Sequence, residues 1–306
     1  MGEIRHIRAN AVGERLDRFL ASTQTDLTRA QIYNLILAGL IKIDEHNVKP
    51  AYRIKGDEII VLDIAYPTSD DLISEEMDLN VIYEDQDLLI IDKPSGIVVH
   101  PGPGHKSGTL ANGLIARMPT IGEVGEKIRP GIIHRLDKDT SGLIVVAKNV
   151  ISHENISKQI KNRTVLKIYT AMLSGNPNPS EGIIKSHVGR DPSHRKRMAV
   201  VENGRYAESH FRVLENLNGY SLAAIEIKTG RTHQIRVHMS SIGHPIVGDT
   251  VYGGERISIN RQFLHASKIG FKLPSTGVYT EFESNMPEDL LDLLQNIRNN
   301  AKLAKG

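Results

Sequence analysis

The chain has 306 residues, 40% of them hydrophobic, with no cysteine and a formal net charge of +2. This length predicts about two domains, and the lack of cysteine excludes disulfide bonds, thiolate-bound metals and a cysteine nucleophile. The small net charge does not by itself indicate a nucleic-acid-binding protein. Without a run of about 18 apolar residues or an apolar N-terminal stretch, we expect a soluble cytoplasmic protein.

Residues 1–63 carry the pattern of a small unit of helices and strands. Thr28 and Gln31 form a capping box, and the apolar stripe that follows predicts a helix over about 29–38. Gly39 is placed to end this helix in a left-handed conformation. The same unit is predicted to hold a short helix over 15–20 and strands over 40–43 and 58–62.

This unit resembles the small S-four-type αL RNA-binding module, first known from a ribosomal small-subunit protein. In that family a helix-loop-helix face that carries Arg and Lys meets the phosphate backbone. The resemblance implies RNA-binding roles for Arg15, Arg18, Arg29, Gln31 and Lys42. Acidic and basic residues are about equally frequent here, so binding would depend on one face; a plain helical cap is the alternative.

An acidic segment without Lys or Arg runs from Asp70 to Asp87. We interpret residues 67–80 as a linker between a first domain over 1–66 and a second over 81–306. Positive charge gathers within 185–205, in a segment that is either a solvated face or part of an RNA-binding surface. Its densest cluster is Arg195, Lys196 and Arg197.

The most informative stretch, residues 134–143, reads HRLDKDTSGL and continues into an apolar, strand-like run over 143–147. A charged cluster followed by a tight Thr-Ser-Gly turn and a buried strand would place a carboxylate at the rim of a sheet, where a substrate can reach it. The alternative is a charged loop in which the Asp merely caps a turn. Other sequence motifs in the chain must decide between these two interpretations.

The motif resembles the signature of the RluA/RluD-type ribosomal RNA pseudouridine synthases. Further blocks similar to that family's motifs lie in order at 92–110, 167–171 and 228–249. The resemblance implies an isomerase that converts uridine to pseudouridine, first of all in large-subunit ribosomal RNA, with tRNA as second choice. We expect a monomer without a cofactor, since the reaction needs neither a redox step nor a group donor. We expect no metal, because His233 and His238 lie at the wrong spacing for a zinc site.

Pseudouridine formation breaks the bond from ribose to a uracil nitrogen, turns the base and joins ribose to a ring carbon. It needs an anion near the anomeric carbon or its neighbour, a wall that holds the base, and exclusion of water. The resemblance makes Asp137 the catalytic carboxylate, either as a nucleophile or as a base that removes a ribose proton. It implies that Arg231 keeps this carboxylate charged. Asp139 and Arg236 are alternatives, more simply explained as turn and surface residues.

Tyr169 lies in an alternating segment that predicts a strand with the ring on one side. The resemblance implies that this ring stacks on the target uracil and can take part in the final proton removal; core packing is the alternative. Because the target atoms are inaccessible within a base stack, the nucleotide must flip out. We expect Arg135 to fill the gap, and we give His134 only a structural role.

The predicted architecture is α+β: the small RNA-binding module precedes a catalytic domain with a mixed, largely antiparallel sheet. Strands are predicted over 88–92, 143–147, 169–173 and 221–227, with a helix over 287–297. Two functions of different class are open, an RNA pseudouridine synthase and a non-catalytic RNA-binding or ribosome-assembly clamp. The combination of Asp137, Tyr169 and Arg231 favours the enzyme, because a clamp needs none of them.

Overall fold

The structure is a computed structural model that describes residues 3–24, 27, 29–37, 39–64, 72–102, 105, 107–126, 128–194, 197–255 and 257–303. The chain divides into two compact units, Met1–Asp71 and Leu72–Gly306. Within the described ranges, no helix is both long and apolar enough to cross a membrane.

The N-terminal unit is a four-stranded antiparallel sheet with two helices. Its elements are β1 (Glu3–Ala9), α1 (Leu16–Thr23), α2 (Arg29–Leu37), β2 (Ile41–Ile43), β3 (His46–Asn47) and β4 (Glu58–Ile64). The strands lie in the order β1-β4-β2-β3. Apolar residues of both helices, among them Leu16, Leu20, Ile32 and Ile36, pack with the sheet into one core.

The turn after α2 has the conformation that the sequence predicts. Gly39 has a φ of +72°, and the Leu40 N–H donates to the Leu35 carbonyl oxygen at 3.0 Å. This pair of features is typical of a glycine that ends a helix in the left-handed region. Thr28, the first residue of the predicted capping box, and the side chain of Gln31 lie outside the described residues.

The second unit is built on a mixed ten-stranded sheet in the order β12-β11-β13-β14-β10-β15-β9-β6-β5, with β16 paired to β15. Only the β15–β9 pairing is parallel, which confirms the predicted α+β class with a largely antiparallel sheet. The sheet strands are β5 (Val81–Glu84), β6 (Leu88–Lys93), β9 (Ser141–Ala147), β10 (Leu166–Ser174), β11 (Glu181–Arg190), β12 (Met198–Val200), β13 (Arg205–Leu217), β14 (Tyr220–Ile227), β15 (Leu264–Lys272) and β16 (Tyr279–Glu283).

The remaining elements of this unit are helices and one small hairpin. They are α3 (Leu110–Arg117), a 3-10 helix (Pro119–Glu123), β7 (Gly125–Glu126), β8 (Arg129–Pro130), α4 (Val150–Lys161), α5 (Gln234–Ser241) and α6 (Glu288–Leu303). The predicted strands lie within β6, β9, β10 and β14, and the predicted C-terminal helix matches most of α6. The long strands β11, β13 and β15 were not predicted from the sequence.

Residues 72–80 differ from the predicted linker, because they pack on the second unit. The Asn112 side chain donates to the Ile73 carbonyl oxygen at 2.8 Å, and the Gly108 N–H donates to Glu75 Oε2 at the same distance. Leu72 and Leu79 add apolar contact with the core. The acidic composition of this segment therefore did not indicate that its apolar residues pack on the core of the second unit. The other residues of the predicted linker, 67–71, lie outside the described residues.

The HRLDKDTSGL segment leads into the most buried strand of the sheet. Every residue of β9 is buried, between β6 and β15. Gly142 has a φ of +113°, and a β-carbon there would collide with the Ala266 carbonyl oxygen. Only glycine allows this strand to start so close to β15, so the position of Gly142 fixes the end of the loop that carries Asp137.

Lys93 holds the same loop from the other side. This fully buried side chain donates from Nζ to the carbonyl oxygens of Pro94 at 2.7 Å, Ile97 at 3.0 Å and Lys138 at 3.1 Å. Burial lowers its pKa to about 8. Since Lys138 follows Asp137 directly, the ammonium ties the end of β6 to the Asp137 loop.

Replacing Lys93 by methionine should lower the free energy of unfolding by on the order of 2 to 4 kcal/mol, because three backbone carbonyl oxygens lose their hydrogen bonds to the buried ammonium group. Chemical denaturation monitored by circular dichroism measures this. Lys138→Met is the matched control, since Lys138 is exposed and supplies only its backbone to the network. Equal stability of the two variants would contradict this account of the loop.

Candidate active site

A cavity of about 500 Å³ opens beside the Asp137 loop. The loop before β9, the strands β10 and β14, and the turn that leads into α5 form its walls. This one cavity is lined by four of the predicted site residues, Asp137, Tyr169, Arg231 and Arg135. The structure thus brings together residues that lie up to about a hundred positions apart in the sequence. Its volume is that of a site for a small organic molecule or a single nucleotide.

Asp137 shares one guanidinium group with a second carboxylate. Arg236 Nη1 lies 3.1 Å from Asp137 Oδ2, while its Nε and Nη2 donate to the two oxygens of Asp249 at 2.6 and 3.0 Å. Arg236 is 7% exposed and Asp249 2%, whereas the Asp137 side chain is 18% exposed. The bidentate pair therefore fixes the guanidinium from behind and leaves one donor for the carboxylate that faces the cavity.

This arrangement makes the predicted pairing of Arg231 with Asp137 wrong, and also the interpretation of Arg236 as a surface residue. Arg231 lies in the turn before α5 and donates from Nε to the Tyr206 carbonyl oxygen at 3.0 Å. Arg236 is the third residue of α5, a helix that was not predicted from the sequence. Burial lowers the pKa of Arg236, but the hydrogen bond and charge of Asp249, together with the charge of Asp137, raise it overall.

Gln234 holds the turn that carries Arg231. Its Oε1 accepts from Thr229 Oγ1 at 2.7 Å and from the Arg231 N–H at 3.0 Å. Its Nε2 donates to the Glu208 carbonyl oxygen and to Ser209 Oγ, both at 3.0 Å. Because this buried amide has partners at both ends, the turn is attached rigidly to β13.

His233 supplies a second polar group beside Asp137. It has a φ of +55° directly before α5, and its Nε2 lies 3.9 Å from Asp137 Oδ2. The Tyr252 hydroxyl accepts the Met198 N–H at 2.8 Å and lies 2.8 Å from His233 Nδ1, to which it can donate its own proton. When Nδ1 accepts this bond, the proton of the neutral ring resides on Nε2, which faces the carboxylate.

Tyr169 belongs to both the core and the cavity wall. Its side chain packs in the main hydrophobic cluster and is 7% exposed. Burial, and to a lesser extent the charge of Asp137, raises the pKa of its phenol. The hydroxyl group therefore stays protonated at neutral pH, and the ring offers a flat, rigid surface to a bound base.

The cavity, unlike the whole chain, is strongly basic. Among the described residues that line it, Asp137 is the sole carboxylate. Eight side chains are cationic: Arg129, Arg135, Lys161, Arg163, Lys167, Lys228, Arg231 and Arg236. Sequence reasoning missed Arg129, Lys161, Arg163 and Lys228, because the elements that carry them are scattered along the chain.

Arg197 is the one described residue of the basic cluster that the sequence singled out. Arg197 is not among the residues that line the cavity, and it pairs with Asp191 at 2.5 Å. Arg195 and Lys196 lie outside the described residues.

Arg135 and His134 differ in environment although they are neighbours in the chain. Arg135 is exposed at the cavity, with Nη1 3.2 Å from His100 Nε2. His134 Nε2 accepts the N–H of Val145 in β9 at 3.0 Å, and burial lowers its pKa to about 3. His134 thus supports the loop as a neutral ring, while the exposed Arg135 side chain is accessible to a ligand in the cavity.

The N-terminal unit divides its predicted RNA-binding residues into two groups. Arg15 and Arg29 both pair with Asp17, a carboxylate that is almost completely buried, at 3.0 and 2.9 Å. Arg18 and Lys42 are exposed, and neither forms an ion pair with another described residue. The first pair is held in a fixed geometry, whereas the second is available to a ligand.

Two family models match the chain. Residues 87–241 match the RNA pseudouridylate synthase model, and residues 14–60 match the S4 domain. The first match includes Asp137, Tyr169, Arg231 and Arg236.

Relatives extend the likeness over nearly the whole chain. An uncharacterised RNA pseudouridine synthase of Bacillus subtilis, YlyB, is 44% identical over 94% of this chain and 95% of its own length. The ribosomal large subunit pseudouridine synthase D of Pseudomonas aeruginosa is 39% identical over 96% and 95%. Human RNA pseudouridylate synthase domain containing 1 covers 72% of this chain and 95% of its own, at 27% identity and a TM-score of 0.55. The chain therefore belongs to the RNA pseudouridine synthase family, with an N-terminal S4 domain, and is an isomerase of uridine in RNA.

Proposed function

We propose that this enzyme isomerises specific uridines in large-subunit ribosomal RNA and that Asp137 is its catalytic carboxylate. The observation that carries the proposal is the ion pair at 3.1 Å between Asp137 and Arg236, in a cavity with no other carboxylate among its described lining residues. The choice of RNA is supported by the relatives of Pseudomonas aeruginosa and Nitrosomonas europaea, which are 39% and 40% identical and are named ribosomal large subunit pseudouridine synthase D.

The first step requires an anion that can reach the ribose. Asp137 either attacks the anomeric carbon or removes the proton from the neighbouring carbon, and both routes begin with the ionised carboxylate. Arg236 aligns this carboxylate and stabilises its charge, while Asp249 prevents the guanidinium from moving toward the substrate. Asp249 is thus a positioning residue.

The base must then turn without leaving the site. Tyr169 forms a flat wall that can hold the uracil ring through stacking while the ribose carbon is exchanged. Since the phenol is protonated at neutral pH, a proton taken up by Tyr169 at the end of the reaction must be passed on at the same time.

Recognition of RNA combines two surfaces. Arg135 lies exposed at the cavity and can enter the space that the flipped nucleotide leaves, while other exposed cations of the cavity, Lys161 and Arg163, attract phosphate. In the S4 domain, Arg18 and Lys42 are available for the phosphate backbone, and Arg15 and Arg29 are held by Asp17. Affinity for RNA and the rate of the chemical step should therefore respond to different substitutions.

The substrate is tested by mapping pseudouridine in cells that lack the protein. Specific positions of large-subunit ribosomal RNA should lose the modification and regain it with the wild-type gene but not with Asp137→Asn. The purified Asp137→Asn variant should bind the RNA within about threefold of wild type and show no turnover, because only the charge of one side chain changes. Loss confined to tRNA, or an active Asp137→Asn enzyme, would contradict the proposal.

The identity of the guanidinium partner is tested by comparing two arginines. Arg236→Gln should slow the single-turnover rate by about 100-fold or more, since it removes the cation that faces Asp137, whereas Arg231→Gln should mainly weaken RNA binding. Arg236→Gln leaves Asp249 buried and unpaired, so the double variant Arg236→Gln/Asp249→Asn serves as the control for stability. It should regain the unfolding temperature but not the rate; the opposite ranking of the two arginines would favour the sequence-based assignment.

The S4 domain is tested through the salt dependence of binding. Arg18→Gln/Lys42→Gln should weaken affinity roughly tenfold at physiological salt and reduce the slope of log K against log salt by about 1.5, because two phosphate contacts are lost. The control Lys49→Gln/Lys55→Gln removes the same charge from exposed positions of the same domain outside the predicted face. Equal effects of the two pairs would mean that net charge, not this face, governs binding.

A further inference from the structure

Lys167 is a buried cation to which the proposed reaction assigns no role. It lies in β10, two residues before Tyr169, so both side chains project from the same face of the strand. Lys167 is 7% exposed and lines the same cavity as Asp137. Its ammonium group has no hydrogen-bond or ion-pair partner among the described residues.

The groups around Lys167 cannot neutralise it. The charged side chains that act on it are Lys228 and Arg231, both cations. His134, which lies close enough to be influenced by Lys167, is neutral because its Nε2 accepts a backbone N–H and burial disfavours its charged form. Asp137 is engaged by Arg236. Lys167 therefore faces the cavity as an unpaired positive charge, deep in the wall.

A buried unpaired charge is costly for folding, and burial accordingly lowers the pKa of Lys167 to about 8. Uncompensated charges of this kind are usual where the partner is a ligand rather than another part of the protein. The partner of Lys167 must then be an anion that occupies the cavity during part of the reaction.

The isomerisation itself produces such an anion. When the bond between ribose C1′ and uracil N1 breaks, its electron pair stays on the base, and the negative charge spreads over the ring nitrogens and the carbonyl oxygens O2 and O4. The ribose is captured by Asp137 or loses a proton to it. Carbon C5 of the base then joins C1′, either as the ester bond between C1′ and Asp137 breaks or as Asp137 returns the proton to ribose C2′. The C5 proton is released and N1 takes up a proton, so that no co-reactant is needed.

We propose that the Lys167 ammonium is a further catalytic group, which stabilises the detached uracil anion by contact with one of its carbonyl oxygens. This inference rests on the proposed function, since it needs the uracil to leave the ribose in this cavity. A fixed cation in a water-poor site is effective for charge that develops only during the reaction, because it requires no rearrangement at that moment. It also holds the free base while the base turns.

A phosphate group of the RNA is the other anion that could meet Lys167. The depth of the ammonium argues against it, since Lys167 and Tyr169 are equally buried and Tyr169 forms the wall for the base. Exposed cations at the cavity, such as Arg135, are better placed for the backbone. The two partners predict different effects, because contact with a phosphate acts on affinity and contact with the departing base acts on the rate of bond cleavage.

The test uses Lys167→Met and Lys167→Arg in the full-length enzyme, with an RNA that carries either uridine or 5-fluorouridine at the modified position. The fluorine atom withdraws electrons and stabilises the base anion, so that cleavage depends less on a protein cation. Single-turnover loss of the N-glycosidic linkage is measured at saturating enzyme, and affinity is measured separately.

With uridine, Lys167→Met should lower the cleavage rate by about 100-fold or more, with affinity within about threefold of wild type. With 5-fluorouridine the loss should be at least about tenfold smaller, and Lys167→Arg should stay within about tenfold of wild type on both. An equal loss on the two substrates, or a loss of affinity alone, would overturn the proposal.

Two controls separate this outcome from failure of the proposed function or of folding. Asp137→Asn, assayed on the same RNAs, reports on the proposed function by itself: an active Asp137→Asn enzyme refutes that function, whereas an inactive one beside an unimpaired Lys167→Met refutes only the role of Lys167. Lys167→Met should unfold at the same or a higher temperature, because it removes an unpaired buried charge. A clear fall would mean that the ammonium already has a partner, and would also overturn the proposal.

Discussion

The guanidinium of Arg236, shared between Asp137 and Asp249, is the interaction on which the rest of the site depends. A buried ion pair stabilises a protein only weakly, but it fixes the position of its members because breaking it leaves an uncompensated charge. Asp249 takes two of the three donating nitrogens, so the third has a defined direction. Asp137 is thereby held at the boundary between the protein and the cavity.

Two separate parts of the sheet meet at this interaction. Asp137 is positioned by the β6 and β9 side, where the Lys93 ammonium binds the loop backbone and Gly142 allows the close approach to β15. Arg236 is positioned by α5, which Gln234 attaches to β13. Each half is held by its own backbone contacts, and the geometry of the Asp137–Arg236 pair arises where the halves join. A single loop could not provide this precision, since loops move more than the elements that they connect.

How much of this could be predicted depends on whether the determining contacts are local. The apolar run of β9 and the glycine after α2 are local signals, and the sequence identified both. The choice between Arg231 and Arg236 is not local, because it depends on the left-handed turn at His233 and on the direction of α5. A β-branched or apolar pattern does not encode that direction. The pairing of Arg236 with Asp249, thirteen positions later, likewise becomes visible only in the folded chain.

The distribution of charge explains how an almost neutral chain can bind RNA. Acidic side chains gather in segments such as 70–87, of which no described residue lines the cavity, whereas eight cations and one carboxylate are among the described residues that do. These cations come from elements between β8 and α5, so no continuous basic run appears in the sequence. Because electric fields are concentrated in clefts with low-dielectric walls, such a cavity attracts phosphate without a large net charge. The same field favours every anion formed inside it, which links recognition of the RNA to stabilisation of the departing base.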